Sequence, residues 1–305
     1  MATTSHAVED DRLAVRYELW DDMTDQYRRY AARIAAFQTL AEIVGVLPFS
    51  EWIDRVPTYH RKQMLVAKVQ DEVGHGHVMA RVAEDLGLSR EQVVDDFLTG
   101  KTKLLSIFHY GFDLWEEIGP AALLMNSAAI VQFQSLEQGT YLPYARALRK
   151  IEKEESFHYH HALDLTHEVL TTGTDEQRAV VQDAFEVWLP RMLAYFGPPD
   201  SDTVAENTMY KLGLKVDSND SLRQRWLDKI IPVFEQLGVD VPHELVHFDE
   251  SLGEWVYATP DWEETNAMIK EGGPRAADWE ALLRESFSRN APYKHAALNA
   301  DVVPV

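Results

Sequence analysis

The sequence predicts an all-α protein organised around a ferritin-like four-helix bundle, with additional C-terminal helices and a small β-hairpin. Three observations carry that expectation. Segments of helical apolar periodicity fill the first two thirds of the chain, each bounded by glycine or proline. One of them, residues 120–139, is apolar nearly all round, as suits a helix at the centre of a bundle. Two others carry the same Glu-x-x-His pattern, Glu72–His75 and Glu155–His158.

Taken in order, the first helix is expected from about Leu13 to Val44, stopped by Gly45 with Pro48 beyond. Pro57 opens a second, which runs to about Leu86 and stops at Gly87. Residues 91–112 form a short helix and a connector. Pro120 suits the first turn of the third long helix, where its missing N–H removes no hydrogen bond, and that helix ends near Gly139. Its only charge is Glu137. Asn126, Ser127, Gln132, Gln134 and Ser135 interrupt the apolar run, which falls short of the ~20 predominantly apolar residues of a membrane span. Pro143 opens the fourth helix and Gly173 follows it. A fifth spans about Asp175 to Tyr195, ended by Gly197-Pro198-Pro199.

Beyond that stop, Asn219–Leu237 has the pattern of a helix, and Leu245–Ala258 that of a hairpin, two β-prone runs around a turn. A short helix is expected over Asp278–Ser288, and a loose tail after Pro292. We expect one domain over residues 1–305, a core bundle at about 13–195 with an appendage at about 205–290 too short of core to stand alone.

The formal net charge of -21 argues against a nucleic-acid or anionic-membrane partner, because the overall field repels phosphate. The absence of cysteine excludes disulfides, zinc ribbons, thiol nucleophiles and iron–sulfur clusters within this chain. The opening residues MATTSHAVEDD lack the basic start and apolar run of a signal peptide, so a cytoplasmic protein is expected.

Residues three apart on a helix share a face, so each Glu-x-x-His pair can grip one metal ion. One copy arises by chance in many helical proteins; two copies on two long helices are a far more specific signal. Glu42 lies thirty residues before Glu72, the spacing at which a two-helix hairpin returns, and its helical neighbours Ala35, Gln38, Thr39 and Val46 are uncharged. A carboxylate facing such surroundings calls for a cation. The same arithmetic leads from Glu155 back to Asn126. The chain is thus nearly duplicated, as Glu42…Glu72–His75 and Asn126…Glu155–His158, the layout of ferritin-like di-metal bundles. Carboxylates are hard donors that bridge metals, and imidazole suits iron.

Asn126 departs from the pattern. It offers a neutral amide oxygen where a carboxylate is expected, so the second metal should bind less firmly or be absent. Glu137, ~16 Å further along by helical rise, cannot replace it. His77, His160 and His161 lie off the ligand face. Glu152, one turn before Glu155, fits an exposed helix position or an outer contact.

These motifs give a resemblance. KQMLVAKVQDEVGHG (62–76), YARALRKIEKEESFH (144–158), FGPPD (196–200), LRQRWLDKIIP (222–232) and the Asp261-Trp262 pair after the hairpin resemble the catalytic subunits of bacterial phenylacetyl-CoA epoxidases, over roughly residues 15 to 290. The resemblance implies an O₂-dependent monooxygenase that epoxidises the aromatic ring of an aryl-acyl-CoA. It places iron on Glu42, Glu72, His75, Glu155 and His158, with an aspartate of the family standing where this chain has Asn126. Two irons per chain are implied, with one or none left open by Asn126. Further implied are a non-catalytic ferritin-like partner subunit together with a small bridging subunit, and a reductase supplying electrons from NADPH through FAD and an iron–sulfur cluster. Cationic candidates for the CoA moiety are Lys68, Arg33 and Lys103. An inactive ferritin-like scaffold, and a di-metal oxidase or hydroxylase of another acyl-CoA, stand as alternatives.

Overall fold

The structure is a computed structural model that describes residues 11–299. Its long helices are α1 (Asp25–Gly45), α3 (Tyr59–Asp85), α5 (Ile118–Leu136), α6 (Leu142–Thr172), α7 (Asp175–Leu193) and α9 (Asn219–Leu237). Shorter ones are α2 (Leu47–Ser50), α4 (Arg90–Leu98), α8 (Val204–Lys211) and α10 (Trp262–Glu271), and α11 (Ala276–Asn299) closes the described chain. One antiparallel hairpin, β1 (Val246–Asp249) with β2 (Glu254–Tyr257), pairs Val246 with Tyr257 and Asp249 with Glu254.

Helix starts follow local capping chemistry. Thr24, Thr58, Ser89, Thr174 and Ser218 each accept a hydrogen bond from a first-turn backbone N–H of α1, α3, α4, α7 and α9 respectively. Gly87 and Gly238 stop α3 and α9 in the left-handed region that only glycine enters freely.

α1 pairs with α3, and α5 with α6, as two helical hairpins; α3 lies against α6 to close the bundle. The pairs Arg61–Glu168, Asp71–His158 and His75–Glu154 run in opposite senses along α3 and α6, which makes the two antiparallel and fixes their register. α7 and α9 cover α5 from outside. That arrangement leaves most of α5 buried and accounts for its lack of charge. The larger apolar core lies between α5, α7 and α9, around Leu124, Phe185, Trp188 and Trp226. A second, around Leu40, Met79, Phe133 and Ile151, fills the space between α1, α3, α5 and α6.

Two side chains of α9 tie the appendage to the bundle. Trp226 Nε1 donates to Ser127 Oγ of α5 at 2.8 Å. Buried Arg223 donates to the carbonyls of Leu193 (2.8 Å) and Gly197 and to Tyr257 Oη (3.1 Å), joining the end of α7 to the hairpin. Further on, Trp279 and Arg275 both bind the Glu51 carboxylate, which seats the start of α11 beside α2.

Several boundaries differ from the sequence expectation. α1 begins at Asp25, not Leu13, because Tyr17 is held extended: its N–H donates to Thr140 O, and its carbonyl accepts from Leu142 N–H. α5 begins two residues before Pro120, fed directly by a 3₁₀ turn at Trp115–Glu117. α8 and α10 occupy segments with no expected helix, although Asp261 caps α10 and Glu263 and Glu264 follow in its first turn. α11 runs through Pro292 to Asn299 instead of stopping at Ser288, on a sequence rich in Ala, Leu, Glu and Arg. Of the expected loose tail, residues 300–305 lie outside the described residues.

Among the described residues one stretch, Asp25–Ser50, is by length and composition able to cross a membrane; 67% of its apolar window is buried inside the protein.

Candidate metal centre

Four helices bring the expected residues together. Glu42 comes from α1, Glu72 and His75 from α3, Asn126 from α5, and Glu155 and His158 from α6; each is more than nine-tenths buried. Donor atoms of Glu42, Glu72, His75 and Glu155 lie within 4.8 Å of one another. His75 Nδ1 is 3.3 Å from Glu72 Oε2, 3.4 Å from Glu155 Oε1 and 3.8 Å from Glu42 Oε2. His158 Nδ1 is 3.5 Å from Glu72 Oε1 and 3.6 Å from Glu155 Oε2. Glu72 and Glu155 thus turn one oxygen to each imidazole.

The other ring nitrogens face outward onto carboxylates of the opposite helix. His75 Nε2 meets Glu154 at 2.9 Å, and His158 Nε2 meets Asp71 at 3.3 Å. Such partners fix the ring and direct its free nitrogen inward. The sequence carried a signal for them, since an acidic residue immediately precedes the glutamate in both motifs. Gln38, one turn before Glu42, donates to the Glu42 carboxylate.

The electrostatics are those of closely packed, buried anions. Burial chiefly, then the nearby Glu72 and Glu155, push Glu42 up to about 8 against the pull of His75. Burial also opposes charge on Glu72, yet Lys68, His75 and His158 hold it well below the usual carboxylate range. At Glu155, burial and Glu72 are outweighed by His158, His75 and Lys68, and its carboxyl is lowered. His75 is raised by Glu155, Glu42 and Glu72 in spite of burial.

The residues fit a bound metal. The Nδ1 atoms of His75 and His158 are buried, aimed at carboxylates, and make no hydrogen bond. Buried polar atoms are normally satisfied, and three carboxylates with two imidazoles match iron or manganese chemistry.

The structure turns Lys68 inward rather than toward a phosphate site. Its side chain is buried, and its ammonium donates to Glu72 and, at 3.2 Å, to Asn126 Oδ1. Arg33 and Lys103, with Lys215, instead line a cavity of about 440 Å³ beside the bundle. That cavity shares Phe37, Gln38 and Tyr195 with the smaller pocket against Glu42, Lys68 and Asn126. Tyr195 is a site residue that sequence periodicity did not reveal; burial, with Glu42 and Glu155 near, raises its phenol. His77 and His160 are exposed, His77 bonded to Arg90 and His160 to its own helix, while Glu152 accepts from Gln134.

Helices α1, α3, α5 and α6 with this centre define a ferritin-like carboxylate–histidine bundle protein. The family model described as "Phenylacetic acid catabolic protein" matches residues 13–277, and the chain belongs to that family. It is similar to one of the subunits of the 1,2-phenylacetyl-CoA epoxidase of Escherichia coli (strain K12), 38% identical over 287 residues, covering 90% of this chain and 92% of that relative.

Proposed function

We propose that this chain is the catalytic oxygenase subunit of a multicomponent iron-dependent monooxygenase that epoxidises the ring of phenylacetyl-CoA or a related aryl-acyl-CoA. The observation that carries the reading is the buried Glu/His centre beside a small pocket that shares Phe37, Gln38 and Tyr195 with a mostly apolar cavity whose lining includes Arg33 and Lys103. Family membership and the similarity to an epoxidase component support it.

Glu42, Glu72, His75, Glu155 and His158 would hold iron, which when bound supplies O₂ activation and oxygen transfer. The chain's own residues do the rest. Glu154 and Asp71 hold the two imidazoles with Nδ1 inward, and Gln38 orients the Glu42 carboxylate. Phe37, Met125 and Phe133 give the inner pocket an apolar wall that suits an aryl group and excludes water. Arg33 and Lys103 offer positive charge to the CoA phosphates in an otherwise acidic protein.

As the resemblance implies, electrons come from a separate reductase using NADPH, FAD and an iron–sulfur cluster, a cluster for which this chain has no cysteine ligands. A non-catalytic ferritin-like partner and a small bridging protein complete the assembly, in the cytoplasm where CoA thioesters are used. Residues 1–305 act as one domain; the Trp226–Ser127 and Arg223 contacts support this by joining the appendage to the bundle.

The test is turnover. The chain assembled with its partner subunits and reductase should consume NADPH and O₂ with phenylacetyl-CoA and yield a ring epoxide; a fully assembled, iron-loaded complex with no turnover refutes it. Asn126 favours a second reading, a non-catalytic ferritin-like scaffold. Asn126→Asp separates the two, since a sharp gain in iron binding and activity marks a nearly intact enzyme.

A further inference from the structure

We infer that Phe108 sets which acyl groups this chain accepts: its ring fills space beside the Glu/His centre that a substrate's aryl ring must take, and turns aside to admit it. This rests on the reading of the two cavities as an aryl-acyl-CoA site, and names the residue that selects within it.

Volume sets the restriction. The pocket against Glu42, Lys68 and Asn126 encloses about 70 Å³, whereas an apolar cavity that holds benzene measures about 150 Å³. The outer cavity, at about 440 Å³, is ample, so the narrow part is the inner end. An acetyl group fits the pocket as it stands; an aryl ring needs a wall to move.

Which wall moves follows from what holds each one. Glu42, Glu72, Lys68, Asn126 and Glu155 are tied into the centre. Ala41, Val46, Phe49 and Phe133 are buried core residues. Of the partly buried remainder, Phe37 rides α1, Met125 and Ala129 ride α5, and Tyr195 follows α7. Phe108 hangs instead from a four-residue 3₁₀ turn, Ser106–His109. Ser106, Ile107 and His109 are buried and anchor that turn, while Phe108 is partly exposed, so its side chain can rotate without the turn moving.

The ring also has a seat. Gly45, the last residue of α1, lines the same pocket, and a Cβ there would stand 2.7 Å from Phe108 Cδ1 and 3.0 Å from Cε1. Phe108 therefore lies directly on bare helix backbone, at a position where even alanine would dislodge it. It packs against both apolar cores. Its ring has the bulk of the ring it makes way for, so the exchange is one aryl group for another. Aryl binding then carries the cost of turning Phe108 out, and acetyl binding does not. With the open position a minor state of about 10% or less, removing the ring should tighten aryl binding by at least about 10-fold.

The test is titration calorimetry on the full-length chain, alone and in its assembled complex, with acetyl-CoA, phenylacetyl-CoA and 2-naphthylacetyl-CoA. Phe108→Ala should bind phenylacetyl-CoA about 10-fold tighter than wild type, leave acetyl-CoA unchanged and newly accept the naphthyl thioester. Phe108→Leu should shift in the same direction and serves if the alanine form does not fold. The seat is tested without ligand: Gly45→Ala should lower the urea midpoint of wild type and change that of Phe108→Ala much less. Unchanged or weaker phenylacetyl-CoA affinity in folded Phe108 variants overturns the inference, as do additive effects of the two substitutions on stability. No binding of any thioester to wild type overturns the underlying aryl-acyl-CoA reading instead.

Discussion

Two glycines two residues apart on α3 should respond oppositely to alanine, and the difference probes how closely α1 must approach to deliver Glu42. A Cβ on Gly76 would stand 2.8 Å from Ile43 Cγ1, 3.3 Å from the Thr39 carbonyl and 3.4 Å from Glu42 Cβ. A Cβ on Gly74 would meet nothing within 4 Å. Both substitutions gain about 0.5–1 kcal/mol from helix propensity. At Gly74 nothing opposes that gain, so Gly74→Ala should stabilise by about that amount. At Gly76 the Ile43 side chain can turn, but the Thr39 carbonyl is backbone, so α1 itself must give way. Overpacking of this kind costs about 1–3 kcal/mol, leaving a net loss of about 1 kcal/mol. Thermal or urea unfolding of the metal-free chain should therefore separate the two variants by about 2 kcal/mol, with opposite signs relative to wild type. Because Glu42 rides on the displaced helix, Gly76→Ala should also weaken Mn(II) binding, while Gly74→Ala leaves it unchanged. Equal shifts of the same sign would refute the claim that α1 and α3 meet at a glycine contact.

Two further outcomes follow from groups around the centre. Glu154→Gln should weaken metal affinity by about 10–100-fold in a chelator competition titration, and Asp71→Asn by less. The Glu154–His75 contact is 2.9 Å and the Asp71–His158 contact 3.3 Å, so the reverse order, or no change in either, contradicts the assigned roles. His161 is pushed down to about 4 from 6.5, first by burial and then by Arg61. Above 6.5 it is neutral in both folded and unfolded chains. As pH falls from about 6.5 to about 4 the unfolded chain takes up the proton first, so stability drops across that window. His161→Leu should flatten this part of the curve in urea titrations; parallel curves for variant and wild type count against it.

Much of the fold was legible because its punctuation is local. The Ser218 cap and Gly238 stop bound α9 at Asn219–Leu237, and Asp249 with Gly253 shapes the hairpin turn. What escaped was set at long range. Residues 13–23 have helical periodicity, yet Tyr17 is recruited by the backbone at Thr140 and Leu142. That Glu42, Glu72, His75, Glu155 and His158 would come close together was legible from their spacing, because a helix face and a hairpin return are both periodic. Lys68 showed the limit of that logic. Its position four residues before Glu72 placed it on the ligand face, but only the packed bundle shows that its ammonium ends between Glu72 and Asn126.

The duplication also explains how so small a motif builds a complete site. With α3 and α6 antiparallel and in the register of 71 with 158 and 75 with 154, the acid before each motif glutamate falls opposite the histidine of the other helix. One five-residue pattern, acid-Glu-x-x-His, used twice, therefore supplies the inner carboxylates, the imidazoles and the groups that orient them. The two remaining helices should complete the symmetry with one carboxylate each. α1 does so with Glu42, which Gln38 orients. α5 presents Asn126, and on that side alone a lysine enters the centre. A neutral amide and an ammonium at one end, opposite a carboxylate at the other, make a nearly two-fold scaffold electrostatically one-sided. That asymmetry, rather than any loss of ligands on α3 or α6, is the physical reason to expect this chain to differ from a symmetric bundle with a carboxylate on each of the four helices.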